Sequence, residues 1–344
     1  MVKRPHDNIS SANFNFLVAQ ATKAPSGHNT QPWKFRRDGS VVEIHPDFDR
    51  KLPVVDPDNR ELFVSLGCAA ENLCLAAQTK GYKSTISIGD TGVITISLTE
   101  DAGIKPSPLF EQIDARQINR SIYTGEEIAP DALKKLQSVS NEKDVSVHYY
   151  AHQTEQFNDI EQCVFQGNVR QMQNEAFKAE LKSWMRFNKK HQDQTLDGLS
   201  YAVFGAPNVP RWMAEPIMSM AVNAKAQNKA DRKKIESASH LVLFTTANNT
   251  PNEWVGLGRT LQRFLLTATE LGVVHSYLNQ PNEEAEIATE MAKTLGLDGE
   301  YPTILLRIGY GKQQVYSKRR PVEDVVIEDW VAVNLKIMRW DVDR

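Results

Sequence analysis

Between Ala24 and Trp33 the chain reads APSGHNTQPW. Ser26, His28, Asn29, Thr30 and Gln31 place hydroxyl, imidazole and amide groups within six positions. Such groups can hold a polar ligand, and His28 can exchange a proton near neutrality. Pro25 and Pro32 fix the backbone at each end, and Gly27 frees it between them. The segment is too rich in Pro, Gly and Asn for a helix or a central strand. Two basic clusters supply a second chemistry. Arg116-Gln117-Ile118-Asn119-Arg120 sets two arginines four apart, on one face if helical. In Lys318-Arg319-Arg320-Pro321, Lys318 and Arg320 share a side if the chain is extended. Guanidinium forks match phosphate oxygens, so the clusters form a phosphate site if the fold joins them. Taken singly, each reads as a solvated face.

The polar loop needs rigid neighbours to act as a site. A helix over Ser10 to Thr22 leads in, a strand from Trp33 to Arg36 leads out, and a hairpin turns at Asp38-Gly39. Further on, SLGCAAENLCLAAQTKGY (residues 65–82) matches GLGRTLQRFLLTATELGV (residues 256–273) at one constant offset. Leu66, Gly67, Leu75, Ala77 and Gly81 are identical to Leu257, Gly258, Leu266, Ala268 and Gly272. The apolar positions coincide on one helical face. Gly67 and Gly258 suit a close backbone approach. Gly81 and Gly272 suit helix C-caps. Strand material follows each helix: Thr85 to Ile88 and Val93 to Ile96 around Asp90-Thr91-Gly92, and Thr303 to Ile308. The pattern predicts an internal duplication. The second half carries helices over Pro130 to Gln137 and Thr154 to Lys189 and a strand from His240 to Thr245. Asp101 to Ile113 reads as a linker, and Gln192 to Met213 as a loop-like lid.

Composition narrows the partners. The chain has 344 residues, 41% of them hydrophobic, and a formal charge of -3. That balance argues against nucleic acid, which needs a basic face. Cys68, Cys74 and Cys163 are odd in number and fit no zinc spacing, so neither disulfides nor a metal is expected. MVKRPHDNIS carries no apolar stretch, and no run reaches the length of a membrane span. A cytoplasmic protein with a small-molecule substrate, and neither nucleic acid nor membrane as partner, is the expectation.

These residues together resemble the nitroreductase family. APSGHNTQPW is similar to its flavin-binding loop. GLGRTLQRFLLTATELGVVHSYLNQP is similar to its central helix and following turn, and Arg307-Ile308-Gly309-Tyr310-Gly311 to its last strand. Family members are α+β homodimers with FMN at the dimer interface. One subunit supplies a PS-x-x-N loop, and the other supplies an arginine motif, the turn and a basic tail. Here the loop falls in the first half and the other parts in the second. The chain therefore resembles a fused dimer of two pseudo-symmetric lobes, each with a mainly antiparallel sheet and helices. It is similar to the two-lobed branch related to a mycobacterial dormancy-associated nitroreductase-like protein. Lobes at 1–105 and 106–344, with a lid at 192–213, are expected, in a monomer acting as a pseudo-dimer.

The resemblance also implies a site. Ser26 and Asn29 face the flavin ring, with Pro25, Gly27 and His28 shaping the loop. Arg116 and Arg120 hold the phosphate, the ribityl chain or the ring edge, and Lys318 and Arg320 complete the phosphate site. Leu278, Asn279 and Gln280 approach N5 and O4, and Lys234 reaches the pyrimidine edge. The implied activity is ping-pong reduction of an electron-poor acceptor, such as a nitroaromatic or quinone, by NADH or NADPH through FMN. No residue is required as a catalytic group, and His28 is the one candidate. The chain departs from the family at Ile118, where Ser or Thr is usual, and at Asn279-Gln280, where an acidic residue and Gly are usual. An FMN-storing or sequestering protein without turnover is the alternative.

Overall fold

The computed structural model describes residues 8–89, 91–221 and 223–327, with side chains outside 217–221. The first seven residues and Asp90, read above, lie outside the described residues. In chain order the helices are α1 (Ser11–Ala21), α2 (Arg60–Gln78), α3 (Pro130–Gln137), α4 (Glu155–Gln173), α5 (Glu175–Trp184), α6 (Lys189–Thr195), α7 (Arg211–Ala221), α8 (Ala224–Glu236), α9 (Pro251–Glu270), α10 (Ala285–Thr294) and α11 (Val322–Val325). The strands are β1 (Trp33–Asp38), β2 (Val41–Pro46), β3 (Tyr82–Ile88), β4 (Ile94–Glu100), β5 (Val145–Ala151), β6 (Met185–Arg186), β7 (Leu199–Ser200), β8 (His240–Thr246), β9 (Val274–Tyr277) and β10 (Tyr301–Gly309).

The fold is α+β, built around two four-stranded antiparallel sheets, ordered β1-β2-β4-β3 and β5-β8-β10-β9. The two orders are the same when strands are matched in sequence. In each sheet a long helix joins the second strand to the third: α2 after β2, and α9 after β8. One apolar cluster runs through both sheets, with α2 and α9 packed on each other at its middle.

The seam between these helices is reciprocal. A Cβ on Gly67 would sit 2.2 Å from the Val255 carbonyl oxygen, and one on Gly258 would sit 2.1 Å from that of Val64. Val64 and Val255 stand at the same offset as the two glycines, so each helix offers the other the same surface. Self-complementary contact of this kind is what a two-fold interface produces. Gly81 and Gly272 close the two helices at φ +78° and +68°.

Several segments differ from expectation. The helix predicted over Thr154 to Lys189 breaks at Asn174, whose side-chain oxygen accepts from Ala176 N and Phe177 N and caps a new helix, α5. Residues 192–213 are largely ordered elements rather than a loop: the end of α6, β7, a 3-10 turn (Tyr201–Phe204) and the start of α7. Arg116 to Arg120 is irregular, not helical. Past β10 the chain crosses to the first sheet, where Val326 bridges Phe35 and Ile327 N donates to Phe35 O at 2.8 Å. This crossing lays the basic segment 318–320 against the polar loop.

Candidate functional site

The loop 25–31 is a strained turn. His28, Asn29 and Gln31 take φ of 47°, 55° and 54°, a region that costs non-glycine residues about 1–3 kcal/mol each. Ser26 Oγ holds it by accepting from Gln31 N at 3.0 Å. The loop closes one end of a cavity of about 220 Å³, here the loop cavity. Pro25, Ser26, Gly27 and His28 line it, with Glu61, Cys68, Ile118, Arg120, Tyr277, Asn279, Gln280 and Glu283. A second space of about 180 Å³, the arginine cavity, is lined by Arg116, Ile118, Arg120, Arg319 and Tyr316 among others. The two adjoin, because Ile118 and Arg120 line both.

The arginine cavity holds cations that the protein does not neutralise. Arg116 Nη2 donates to Lys23 O at 2.8 Å, while its Nε and Nη1 are buried without partners. Arg319 donates to Asn29 Oδ1 at 2.7 Å and to Ala24 O, and its Nε is also buried and unpartnered. Among the described residues neither arginine, nor Arg120, is ion-paired, and Asp114 in the same wall pairs with Lys23. Burial lowers the pKa of all three, and Arg319, which also faces Arg116, falls to about 9. Buried charge without a counter-charge costs several kcal/mol, and an anion here would offset that cost.

Other predicted residues stand elsewhere. Lys318 is half exposed, with its ammonium toward Asp193 at 3.8 Å, and only its carbonyl meets the loop, by accepting from Asn29. Arg320 donates to Asp324 O and faces Asp47. The alternation that grouped Lys318 with Arg320 selected the wrong side, since Arg319 points into the cavity. Asn29 does not line the loop cavity; its amide ties the loop to Gly198 O, Lys318 O and Arg319. Lys234 pairs with Asp231 at 3.4 Å. Leu278 is buried in a separate apolar cluster with Leu305 and Ile287. Asn279 lines the cavity with both side-chain atoms engaged, donating to Glu61 Oε1 at 2.7 Å and accepting from Leu305 N at 2.9 Å. Gln280 also lines it, with Oε1 buried and unpartnered.

Burial, and then Arg120, lower the pKa of His28 to about 4. It is therefore a neutral imidazole at pH 7, able to share a hydrogen bond but unable to act as an imidazolium acid. Burial pushes the Cys68 thiol up, and Cys68 Sγ lies 3.1 Å from Gly258 O. Sequence reasoning missed Arg319, Glu61 and Glu283. A glutamate in the first turn of a helix reads as a surface charge favoured by the helix dipole, and nothing in its spacing marks Glu61 as buried.

The stretch expected to be a lid lies against the loop and the loop cavity. Gly198 N donates to Asn29 O, Gln31 Nε2 donates to Leu196 O at 2.9 Å, and Leu199 lines the loop cavity. Asp197 joins Arg50 and Arg186 in ion pairs. The Arg120 guanidinium lies 5.8 Å from the Phe204 ring centre.

A two-sheet α+β fold with a duplicated helix seam, and a polar loop from one half meeting arginines from the other, are the features of one protein class. The nitroreductase family model matches residues 126–310, and the chain belongs to that family. The Mycobacterium tuberculosis (strain H37Rv) protein Rv3131, which bears the name of an NAD(P)H nitroreductase, is 23% identical over 313 residues, covering 86% of this chain and 84% of the relative. The acg protein of the same organism, similarly named, is 27% identical over 82 residues, 24% of this chain and 25% of the relative. Among solved structures, the FMN-dependent nitroreductase NfnB of Mycobacterium smegmatis with NADPH gives a TM-score of 0.43 at 12% identity, over 64% of this chain and 96% of that one. Among the described residues no helix is long and apolar enough to cross a membrane.

Proposed function

We infer that the protein is an FMN-dependent oxidoreductase that takes electrons from NADH or NADPH and passes them to an electron-poor small molecule, such as a quinone or nitroaromatic. The observation that carries this is the adjoining pair of cavities. One is bounded by the strained loop, and the other holds Arg116 and Arg319 with buried, unpartnered N–H groups. A planar ring ending in a phosphate suits that pair of spaces. FMN supplies hydride chemistry at its ring when bound. The protein's own residues do the rest. Arg116 and Arg319 hold the phosphate, and Arg120, in the shared wall, stabilises negative charge between the two spaces. Ser26 keeps the loop in its αL turn, and neutral His28 offers a hydrogen bond into the loop cavity. Ile118, which cannot bond a phosphate, leaves that work to the arginines.

The covering segment favours a second reading, in which FMN is held but not turned over. The ties from Gly198 and Leu196 to the loop, and the Asp197 ion pairs, shield the loop cavity. One experiment separates the two. Purified protein loaded with FMN is mixed anaerobically with excess NADH or NADPH. Loss of the oxidised flavin absorbance supports the oxidoreductase, whereas a bound flavin that stays oxidised supports sequestration. A colourless protein that takes up no FMN defeats both.

A further inference from the structure

Glu61 lies in the first turn of α2, yet it is buried in the wall of the loop cavity. Its carboxyl lies against the loop backbone, since a Cβ on Gly27 would stand 3.0 Å from Glu61 Oε2. The Glu283 carboxyl lines the same wall, close enough for each group to perturb the other's titration. Two carboxylates this close repel, which favours a proton on one of them. Amides orient the pair: Asn279 Nδ2 donates to Glu61 Oε1, and Gln171 Nε2 donates to Glu283 Oε2. Among the described residues Arg60 makes no ion pair with either carboxyl, donating through Nη2 to Asn282 O and Nη1 to Pro302 O, and its charge only partly opposes the rise in their pKa. Glu283 has a second exposure. It also lines a larger cavity of about 510 Å³, with Asp56, Arg60 and Asn282 in its wall. Thus one carboxyl pair spans two spaces, with Glu61 toward the loop.

We propose that Glu61 and Glu283 form a proton relay from the larger cavity to the loop cavity, with Glu61 the donor to the bound acceptor; the assignment rests on the oxidoreductase reading. The charged and titratable groups facing the pair are Asp56 from the loop before α2, Arg60 from its first turn and Tyr277 from β9. Burial, and then the Asp56 charge, raise Glu61 to about 7, and burial with Glu61 raises Glu283. The other proton-bearing groups in the cavity wall do not titrate there. His28 is neutral, while burial holds Tyr277 and Cys68 protonated.

A quinone that becomes a hydroquinone gains two electrons and two protons. Both electrons and one proton would be supplied as hydride by FMN bound in its reduced form. The second proton comes from Glu61: its O–H bond breaks as one forms on the acceptor oxygen. Glu283 then takes a proton from water in the larger cavity and passes it to Glu61.

The test has two readouts on the full chain. Infrared spectra at pH 7, taken before FMN is added, are expected to show the C=O band of a protonated carboxyl. That band should weaken in Glu61→Gln and should titrate near pH 7 in the unaltered protein. Chemically reduced, FMN-loaded protein is then mixed with 1,4-benzoquinone. Glu61→Gln is expected to slow quinone reduction about 100-fold, the lower end of general-acid contributions, and to flatten its dependence on pH. Absence of the band at pH 7, or an unchanged rate in Glu61→Gln that has taken up FMN, overturns the relay and leaves the oxidoreductase reading standing. Failure to take up FMN overturns that reading, and the relay's role with it, whatever the band shows.

Discussion

Arg319 and Lys318 are neighbours in sequence and opposites in setting. Arg319 is half-buried beside Arg116 with its Nε buried and unpartnered, whereas the Lys318 side chain is 53% exposed. A hydrogen bond to a charged group contributes about 1.5–3 kcal/mol, and about 1.4 kcal/mol is a factor of ten in affinity. Arg319→Gln should therefore weaken FMN binding about 10- to 100-fold in a fluorescence titration, while Lys318→Ala should change it little; equal effects would remove Arg319 from the phosphate site. The strand-alternation rule could not see this, because residues 310–320 follow the path across to the first sheet rather than a regular strand. His275 sets a pH dependence at the same scale. It is buried, both ring nitrogens lack partners, and burial followed by Arg116 lowers it from 6.5 to about 3. The unfolded chain binds that proton more readily, so stability is whole above pH 6.5 and falls as pH drops toward 3. Glu61 works oppositely: its pKa is raised from 4.5 to about 7, so its contribution is whole below 4.5 and is lost as pH rises through 7. Melting temperatures of His275→Phe should fall less steeply than those of the unaltered protein between pH 6 and pH 4, and parallel curves would exclude His275 as the cause.

The elements repeat more faithfully than the residues do. Gly67 and Gly258 were legible as a matched pair, because a glycine inside an apolar helical stripe has little use except close approach. The reciprocal contacts with Val255 and Val64 supply the physical reason. The repeated strand order was less legible, since β5 and β9 are short or only partly buried and carry no strong alternation. The break of α4 from α5 at Asn174 was equally hidden: Asn is tolerated within helices, and its capping bonds appear only once the chain has turned. Overpacking a tight seam costs about 1–3 kcal/mol, occasionally more. Gly258→Ala should lose at least that much in chemical denaturation, because its Cβ would meet backbone at 2.1 Å. Gly272→Ala has open space around the new Cβ and only the +68° φ to oppose it, so its loss should be nearer 1 kcal/mol, the cost of an αL residue. The reverse ranking would mean that the helices do not meet at these glycines.

At the scale of the molecule, the duplication joins two like sheets around one seam but leaves the site asymmetric. The polar loop lies before β1, and the arginines that face it come from residues 116, 120 and, across the return of the chain, 319. The same crossing that lets Val326 bridge Phe35 places Arg319 beside Asn29. The sequence shows the loop and the arginine motif once each, but not the ion pairs of Asp197, because Arg50 is 147 positions away and nothing in the spacing marks Arg186 as a partner. One site per chain follows if the loop and the arginines are both needed. Titration of the FMN-free protein should then saturate at one FMN per chain, followed by quenching of flavin fluorescence. Two equivalents would mean that the second half supports a site without the loop. Asp197→Asn tests the cover in the same titration. Arg186 is buried, and losing its charged partner should loosen residues 196–204. Bound FMN should then exchange faster than from the unaltered protein, about 10-fold if one ion pair of about 1.4 kcal/mol holds the cover down. An unchanged exchange rate would mean that FMN leaves by another route, and that the segment over the loop is a wall of the cavity rather than its door.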